Sequence, residues 1–150
     1  MKVRQYLSAD AAAVKHIWGT VLPDTARYNQ PAFALERKLA IDDLIFVAEH
    51  DGAVVGTVMA GYDGHRGWLY LVAVLPKHRR HGTGARLVEA ALSALAGLGC
   101  VKVNLQVRPD NKAVTAFYES VGFTVEPRIN MGLKISSEDI RSGPLECAAR

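Results

Sequence analysis

Several familiar kinds of chemistry are excluded by what this sequence lacks. It has two cysteines, Cys100 and Cys147, with no C-x-x-C spacing. Neither a disulfide framework nor a thiolate metal site is expected, and both read as reduced thiols of a cytoplasmic protein. The five histidines show no H-E-x-x-H or related spacing, so no metal is predicted. No run approaches the roughly 20 apolar residues that a membrane crossing needs. Lys2 and Arg4 flank no apolar signal-peptide core, so no signal peptide is expected. There is no internal repeat and no low-complexity segment. Neither charge sign dominates: 18 Lys and Arg against 15 Asp and Glu leave a net +3. That balance tolerates an anionic ligand without calling for nucleic acid.

What is present suits one folded domain over residues 1–150. Of the 150 residues, 49% are hydrophobic, enough for a sizeable core. "MKVRQYL" alternates like an edge strand. "SAD" at 8–10 offers an N-cap to a helix whose Val14, Ile17, Trp18 and Val21 share a face, and Pro23 stops it. Gln30 and Pro31 open a second helix, with Leu35 and Leu39 stacked. The irregular chain around these helices is a candidate substrate wall, where Tyr28 and Phe33 fit either an apolar pocket or the core.

"LIFVAEH" (44–50), an Asp51-Gly52 turn and "AVVGTVMAGY" (53–62) predict a hairpin. "DGHRG" then turns into a further strand, "WLYLVAVL" (68–75), apolar on both faces and hence internal. A helix from about 84 to 97 places Leu87, Ala91, Leu95 and Leu98 on one face, and "VKVNLQV" (101–107) is the next strand. A strand, a helix and a strand with short joints imply a right-handed parallel crossover. Asn111 can cap a helix carrying Val114, Phe117, Tyr118 and Val121, with Gly122 as its stop. "FTVE" and "INMGLKI" read as a closing hairpin. Residues 136–150 read as a docked or frayed tail.

Chemistry concentrates at "VLPKHRRHGTGARLVEAAL", residues 74–92. A helix start carries unpaired N–H groups and a partial positive charge. Gly82 and Gly84 let a ligand approach the backbone, and Lys77, His78, Arg79, Arg80 and His81 add charge. Together they make an anion nest that fits a diphosphate. A Walker loop is absent, and the dinucleotide fingerprint fails because Leu87 stands where its third glycine belongs. A merely solvated basic turn is the alternative on this motif alone.

The context goes further. R79-R80-H81-G82-T83-G84 follows "LVAVLP" and opens a helix. Asn111, Tyr118, Gly122 and Phe123 then fall at the spacing N-x-x-A-x-x-x-Y-x-x-x-G-F, with Val114 in the alanine's place. Over about residues 44–125 this resembles the GNAT superfamily of acetyl-CoA-dependent N-acyltransferases. Arg80 departs from the commoner glycine there, and His81 from the commoner Lys or Arg. "AGYDGHRGW" further resembles a subfamily of small bacterial acetyltransferases of undefined substrate.

The resemblance implies an α/β fold: a mixed, mostly antiparallel twisted sheet with a parallel, splayed central strand pair and about four flanking helices. It implies that the amides of residues 80–85, with Arg79, Arg80, His81, Gly82, Thr83, Gly84 and Ala85, hold the coenzyme A pyrophosphate. The pantetheine arm would pair with the backbone of Val72, Ala73 and Val74, and the Val72 N–H would serve as oxyanion donor. Asn111 would touch the cofactor, cap its helix, or do both. Tyr118 would either pack or protonate the leaving thiolate: a phenol near about 10 can serve a thiol near about 8.5. The base is left between Tyr70 and Glu49, and Asp63 with His65 reads as a tight turn or a substrate-facing pair. The expected activity is acetyl transfer from acetyl-CoA to a small-molecule amine, a peptide N-terminus or a protein lysine, by direct attack in a ternary complex. A non-catalytic acyl-CoA sensor is the alternative. No nucleic-acid or membrane partner is expected, and a monomer or homodimer is.

Overall fold

Two helices separate the first strand from three consecutive strands, after which helix, strand and helix follow. The computed structural model describes residues 1–135; the expected tail at 136–150, with Cys147, lies outside the described residues. The strands are β1 (Lys2–Gln5), β2 (Ile45–His50), β3 (Ala53–Tyr62), β4 (Gly67–Val74) and β5 (Val103–Asn104). The helices are α1 (Ala11–Val21), α2 (Pro31–Leu39), α3 (Thr83–Gly97) and α4 (Lys112–Ser120). The sheet order is β1-β2-β3-β4-β5. The first three pairings are antiparallel and β4 runs parallel to β5. This is the expected mixed α/β architecture, mostly antiparallel with one parallel pair.

Two apolar clusters clothe the sheet. On one face Leu87, Val88, Ala91 and Leu95 of α3 pack on Ala48, Val55, Val58, Ala60 and Leu69. Phe117, Tyr118 and Val121 of α4 lean on that cluster. On the other face Val14, Ile17 and Trp18 of α1 and Leu35 of α2 meet Ile45, Val47 and Ala73. Full burial of each large apolar side chain contributes roughly 1.5–3 kcal/mol. Amphipathic helices on both faces thus hold β2 and β3 between them.

Four expectations need correction. Of the SAD stretch expected to cap α1, Asp10 does stand at the N-cap position, but its side chain makes no capping bond to the helix. Residues Ser8–Asp10 form a short 3-10 turn, in which the Asp10 carboxylate accepts the Leu7 N–H (2.8 Å) and grips Arg4 (2.7 and 3.0 Å). Leu39 and Leu98 lie beyond the apolar faces assigned to them, 39% and 54% exposed, because each stands where its helix is ending. The strand expected over 101–107 shortens to Val103–Asn104. It pairs with only Gly67 and Trp68 of β4, so residues 105–107 have no ladder to join. The closing hairpin is not formed: residues 123–135 contain no strand. That segment is tied to the chain around β5 by Lys102–Glu126 (2.6 Å), Asn104–Glu126 (3.5 Å) and a Gln106–Asn130 contact.

Candidate active site

The site is built where β4 loses its regularity. β4 opposes β3 in ordinary register up to Tyr70 (against Met59) and again from Ala73 (against Thr57). Leu71 and Val72 therefore face the single residue Val58, which defines a β-bulge. Leu71 has φ +50°, a left-handed conformation that a bulky residue adopts only under strain of roughly 1–3 kcal/mol. At such a bulge one residue is left without a ladder partner. On the opposite side, β5 pairs with Gly67 and Trp68 and then stops, while β4 continues to Val74. The two parallel strands are thus joined at their starts and part beyond them. This leaves the backbone of Val72, Ala73 and Val74 beside a gap.

Beyond Val74 the chain makes a 3-10 turn over Pro76–His78 and enters α3 through Gly82. Arg80 has φ +63° and Gly82 φ +76°. The left-handed region that Arg80 occupies is one that favours glycine. The first bond of the helix runs from the Arg86 N–H to the Gly82 carbonyl (3.1 Å), so the amides of residues 83–85 have no partner within α3. A Cβ on Gly82 would meet nothing within 4 Å, so the chain is open at Gly82, while Met1 lies against the first turn of α3, its sulfur accepting from the Thr83 hydroxyl (3.0 Å). The donor set fits a diphosphate: free amides, a helix dipole, and the exposed cations Lys77 and Arg80.

Not every residue of this loop faces a ligand. Gly84 is bare because a Cβ there would lie 3.1 Å from Cζ of Phe117, so its role is the seating of α3 on α4. Thr83 is 2% exposed, and its hydroxyl is turned inward to the His78 carbonyl (3.2 Å). Arg79 donates from Nε to the Val74 carbonyl (2.9 Å), which moors the loop to β4. His78 lies against His50 at the end of β2, ring centres 5.3 Å apart, and His81 is exposed.

Asn111 caps α4: its Oδ1 accepts the Val114 N–H (3.2 Å). Tyr118 sits between Phe117 and Phe123, edge-on to both at 5.0 and 5.7 Å. Burial alone pushes its phenol up to about 12. Among the described residues no fully buried polar side-chain atom lacks a partner, and Tyr118 lines the broad cleft beside β5. That cleft, about 1740 Å³, runs between residues 100–109 and 121–130, and does not include Val72, Val74 or the α3 entrance. It opens where the hairpin expected over 123–135 is missing.

The two candidate bases stand apart. Tyr70 is 46% exposed on the α2 side of the sheet, stacked with Trp68 at 6.4 Å. Burial, then the charge of Asp63, raises its phenol above the ordinary value. Glu49 lies two strands away and four residues beyond Ile45, the residue aligned with Met59 and Tyr70. At about 3.3 Å per residue and 4.8 Å per strand, roughly 16 Å separates the two positions. Glu49 is moreover held by Arg4 (2.9 Å). Asp63 serves its own turn: Oδ1 accepts the N–H groups of His65 and Arg66, both at 2.7 Å. Those amides, Arg66 first, hold its carboxyl below the usual range.

The segment expected to form a substrate wall is more cationic than the sequence suggested. Phe33 is flanked by the guanidinium groups of Arg27 (5.7 Å) and Arg37 (5.8 Å), and Tyr28 is 54% exposed. A smaller pocket, about 340 Å³, lies among Pro23, Asp24, Thr25 and Arg108. Among the described residues no three His, Cys, Asp or Glu side chains are grouped to hold a metal, and no helix is long and apolar enough to cross a membrane.

A bulged strand parting from a parallel neighbour, beside a bare helix start, has a shape and donor set that fit an extended, phosphate-bearing ligand. The sequence matches the acetyltransferase (GNAT) family over residues 12–123, and the chain belongs to that family. An acetyltransferase of Yersinia enterocolitica is 38% identical over 137 residues, covering 90% of this chain and 96% of the relative. Among solved structures, Ard1 from Thermoplasma volcanium superposes with a TM-score of 0.73 at 28% identity, covering 83% of each chain. An aminoglycoside N-acetyltransferase in complex with CoA shares the fold, with a TM-score of 0.74 at 19% identity over 89% of this chain and 93% of that one.

Proposed function

We propose that this chain, acting as one cytoplasmic domain, transfers an acetyl group from acetyl-CoA to an amine by direct attack in a ternary complex. The observation that carries the reading is the coincidence of three features on one strand. β4 bulges at Leu71, parts from β5, and leads directly into unpaired amides at residues 83–85.

Acetyl-CoA supplies the acyl group as a thioester. The amides of residues 83–85 and the Arg80 guanidinium hold its diphosphate, and the parted strands admit its extended arm. The spare N–H at the bulge, assigned to Val72, stabilises the charge that grows on the carbonyl oxygen during attack. Tyr118 stays protonated across the physiological range because its phenol is pushed up to about 12. A thiol is ordinarily near about 8.5, so complete transfer from this phenol is uphill. Tyr118 therefore stabilises the departing sulfur mainly by donating a hydrogen bond, and solvent completes the protonation.

Neither candidate base is suited to removing the amine's proton, so the proton that the nitrogen sheds after attack passes to solvent, which returns one to the departing thiolate. Glu49 is paired and distant, and the raised Tyr70 phenol is a poor acceptor of protons at neutral pH. The acceptor is taken up as its neutral amine, about one molecule in 10³ for a lysine-like group at pH 7. The acceptor reaches the carbonyl from the α2 side, past Trp68, Tyr70 and the wall at 23–37. The family's solved relatives include enzymes named for small-molecule amines, and a small-molecule amine, a peptide N-terminus or a protein lysine fits this reading.

The test is calorimetry with acetyl-CoA, followed by thiol release across a panel of amines. Binding with acceptor-dependent release is expected. Binding without release for any amine would favour a sensor, and absence of binding would overturn the reading.

A further inference from the structure

Thr57 is an anomaly in the α1 side of the core. It is fully buried on β3, between Val47 of β2 and Ala73 of β4. Valine has nearly the same shape and no hydroxyl to satisfy, so packing alone does not explain threonine here. The hydroxyl is instead the middle of a relay. The indole N–H of Trp18, on α1, donates to Thr57 Oγ1 at 2.9 Å. Thr57 Oγ1 in turn donates to the carbonyl of Leu71 at 3.2 Å. Trp18 is 2% exposed and Thr57 is fully buried, so the relay is shut away from water at its Trp18–Thr57 end, while its Leu71 end is half-buried.

The receiving carbonyl belongs to the residue that forms the bulge. Leu71 is left-handed at φ +50°, a conformation usually supplied by glycine at the first position of a bulge of this kind. Leucine does not choose it, so something must hold it. The relay fixes the Leu71 peptide from below the sheet. That peptide unit is the one whose N–H belongs to Val72, because the Leu71 carbonyl and the Val72 N–H lie in a single rigid plane. Fixing the carbonyl therefore fixes the direction of the amide, which points the opposite way.

We infer that Thr57, braced by Trp18, is a positioning residue that aims the Val72 N–H at the reacting carbonyl by holding the Leu71 peptide in its bulged orientation. The inference rests on the proposed acetyl transfer for its catalytic meaning, but the geometric part stands on the bulge alone. It gives α1 a role besides covering the sheet. It also separates two functions along β4, since the phosphate loop decides whether the cofactor binds and the relay decides whether a bound thioester reacts.

The test is Thr57→Val, with Thr57→Ser as the conservative variant. Thr57→Val is expected to bind acetyl-CoA within about twofold of the wild type while kcat falls about 10- to 100-fold, the scale of a misplaced reacting group. Thr57→Ser should recover most of that loss. Leu71→Gly supplies a second arm, since glycine accepts a positive φ unaided. In that background Thr57→Val should change kcat by less than about threefold. An unchanged kcat in Thr57→Val overturns the inference. So does a loss shared equally between kcat and acetyl-CoA affinity without recovery in Thr57→Ser, which is the mark of packing. Should the wild type bind no acetyl-CoA, the functional reading fails by itself. The amide resonances of Leu71 and Val72 still decide the relay, since unchanged shifts in Thr57→Val would refute it.

Discussion

Gly67 and Trp68, at the start of β4, have a strand on either side: Tyr62 and Gly61 of β3, Val103 and Asn104 of β5. Leu71 and Val72, further along the same strand, share one residue of β3 and have no partner toward β5. The first half is closed so tightly that a Cβ on Gly67 would lie 2.7 Å from Cys100 Sγ and 3.1 Å from Val103 Cγ2. The second half is loosened by a left-handed leucine and pinned from the α1 side through Thr57. The closed half sets where the strands begin to part, and the open half presents backbone groups that a regular sheet would have consumed. A ligand that pairs with a strand needs both: an unspent edge, and a seam that keeps it from closing.

The largest expected effect is at Tyr118, which lines the cleft beside β5 rather than the open half of β4. Tyr118→Phe should lower kcat by about 10²-fold, the lower end for a positioned proton donor, while acetyl-CoA affinity stays within about twofold. Steady-state kinetics beside calorimetry reads this, and equal losses would mean that Tyr118 only packs. The pH profile sharpens the point. The wild-type rate should rise with pH as the acceptor loses its proton. It should show no fall assignable to Tyr118 until the pH nears about 12, because the raised phenol keeps its proton until then.

Breaking the closed half comes next. Gly67→Ala forces Cys100 and Val103 apart and should destabilise the fold by about 2 kcal/mol in denaturant titration, a typical overpacking penalty. Cys100→Ala in the same chain should return part of that loss, since the nearest clash is with its sulfur. At the helix entrance, Gly82→Val puts a branched side chain at φ +76° and should weaken acetyl-CoA binding about tenfold, or about 1.4 kcal/mol, by calorimetry. The kcat at saturation should hold. An unchanged affinity would argue against the amide cradle.

The smallest effect has two opposed parts. Arg80→Gly relieves a left-handed arginine, worth roughly 1–2 kcal/mol, against a gain in unfolded-chain freedom of roughly 0.5–1 kcal/mol. A net stabilisation of about 0.5 kcal/mol is expected together with weaker acetyl-CoA binding. Loss of stability would show that Arg80 is held by contacts rather than strained.

Local signals were enough for much of the architecture. The Asp51 and Gly52 turn, the Asn111 cap and the buried Leu87, Ala91 and Leu95 could be read directly, because turn chemistry and helical spacing act over a few residues. The seam at Gly67 had a visible sign, a glycine opening an apolar strand, but its partner Cys100 is 33 positions away and no periodicity links them. The closing hairpin failed for the converse reason. Residues 129–135 alternate like a strand, yet β5 stops at Asn104 and offers no ladder to pair with.

The candidate site divides along the same line. The basic, glycine-bearing helix start and the Asn111 to Phe123 spacing were legible as residue types. That Gly84 seats Phe117, that Thr83 turns inward and that Glu49 serves Arg4 depend on which elements become neighbours. Composition and short-range pattern thus dictated the helices, the turns, the first four strands and the basic, glycine-bearing loop, since each arises from steric and hydrogen-bonding preferences within a few residues. The bulge at Leu71, the parting of β4 from β5 and the brace from Trp18 through Thr57 came from packing distant segments together. Whether a backbone amide is spent or left free depends on the strand beside it, and no single stretch of chain carries that information.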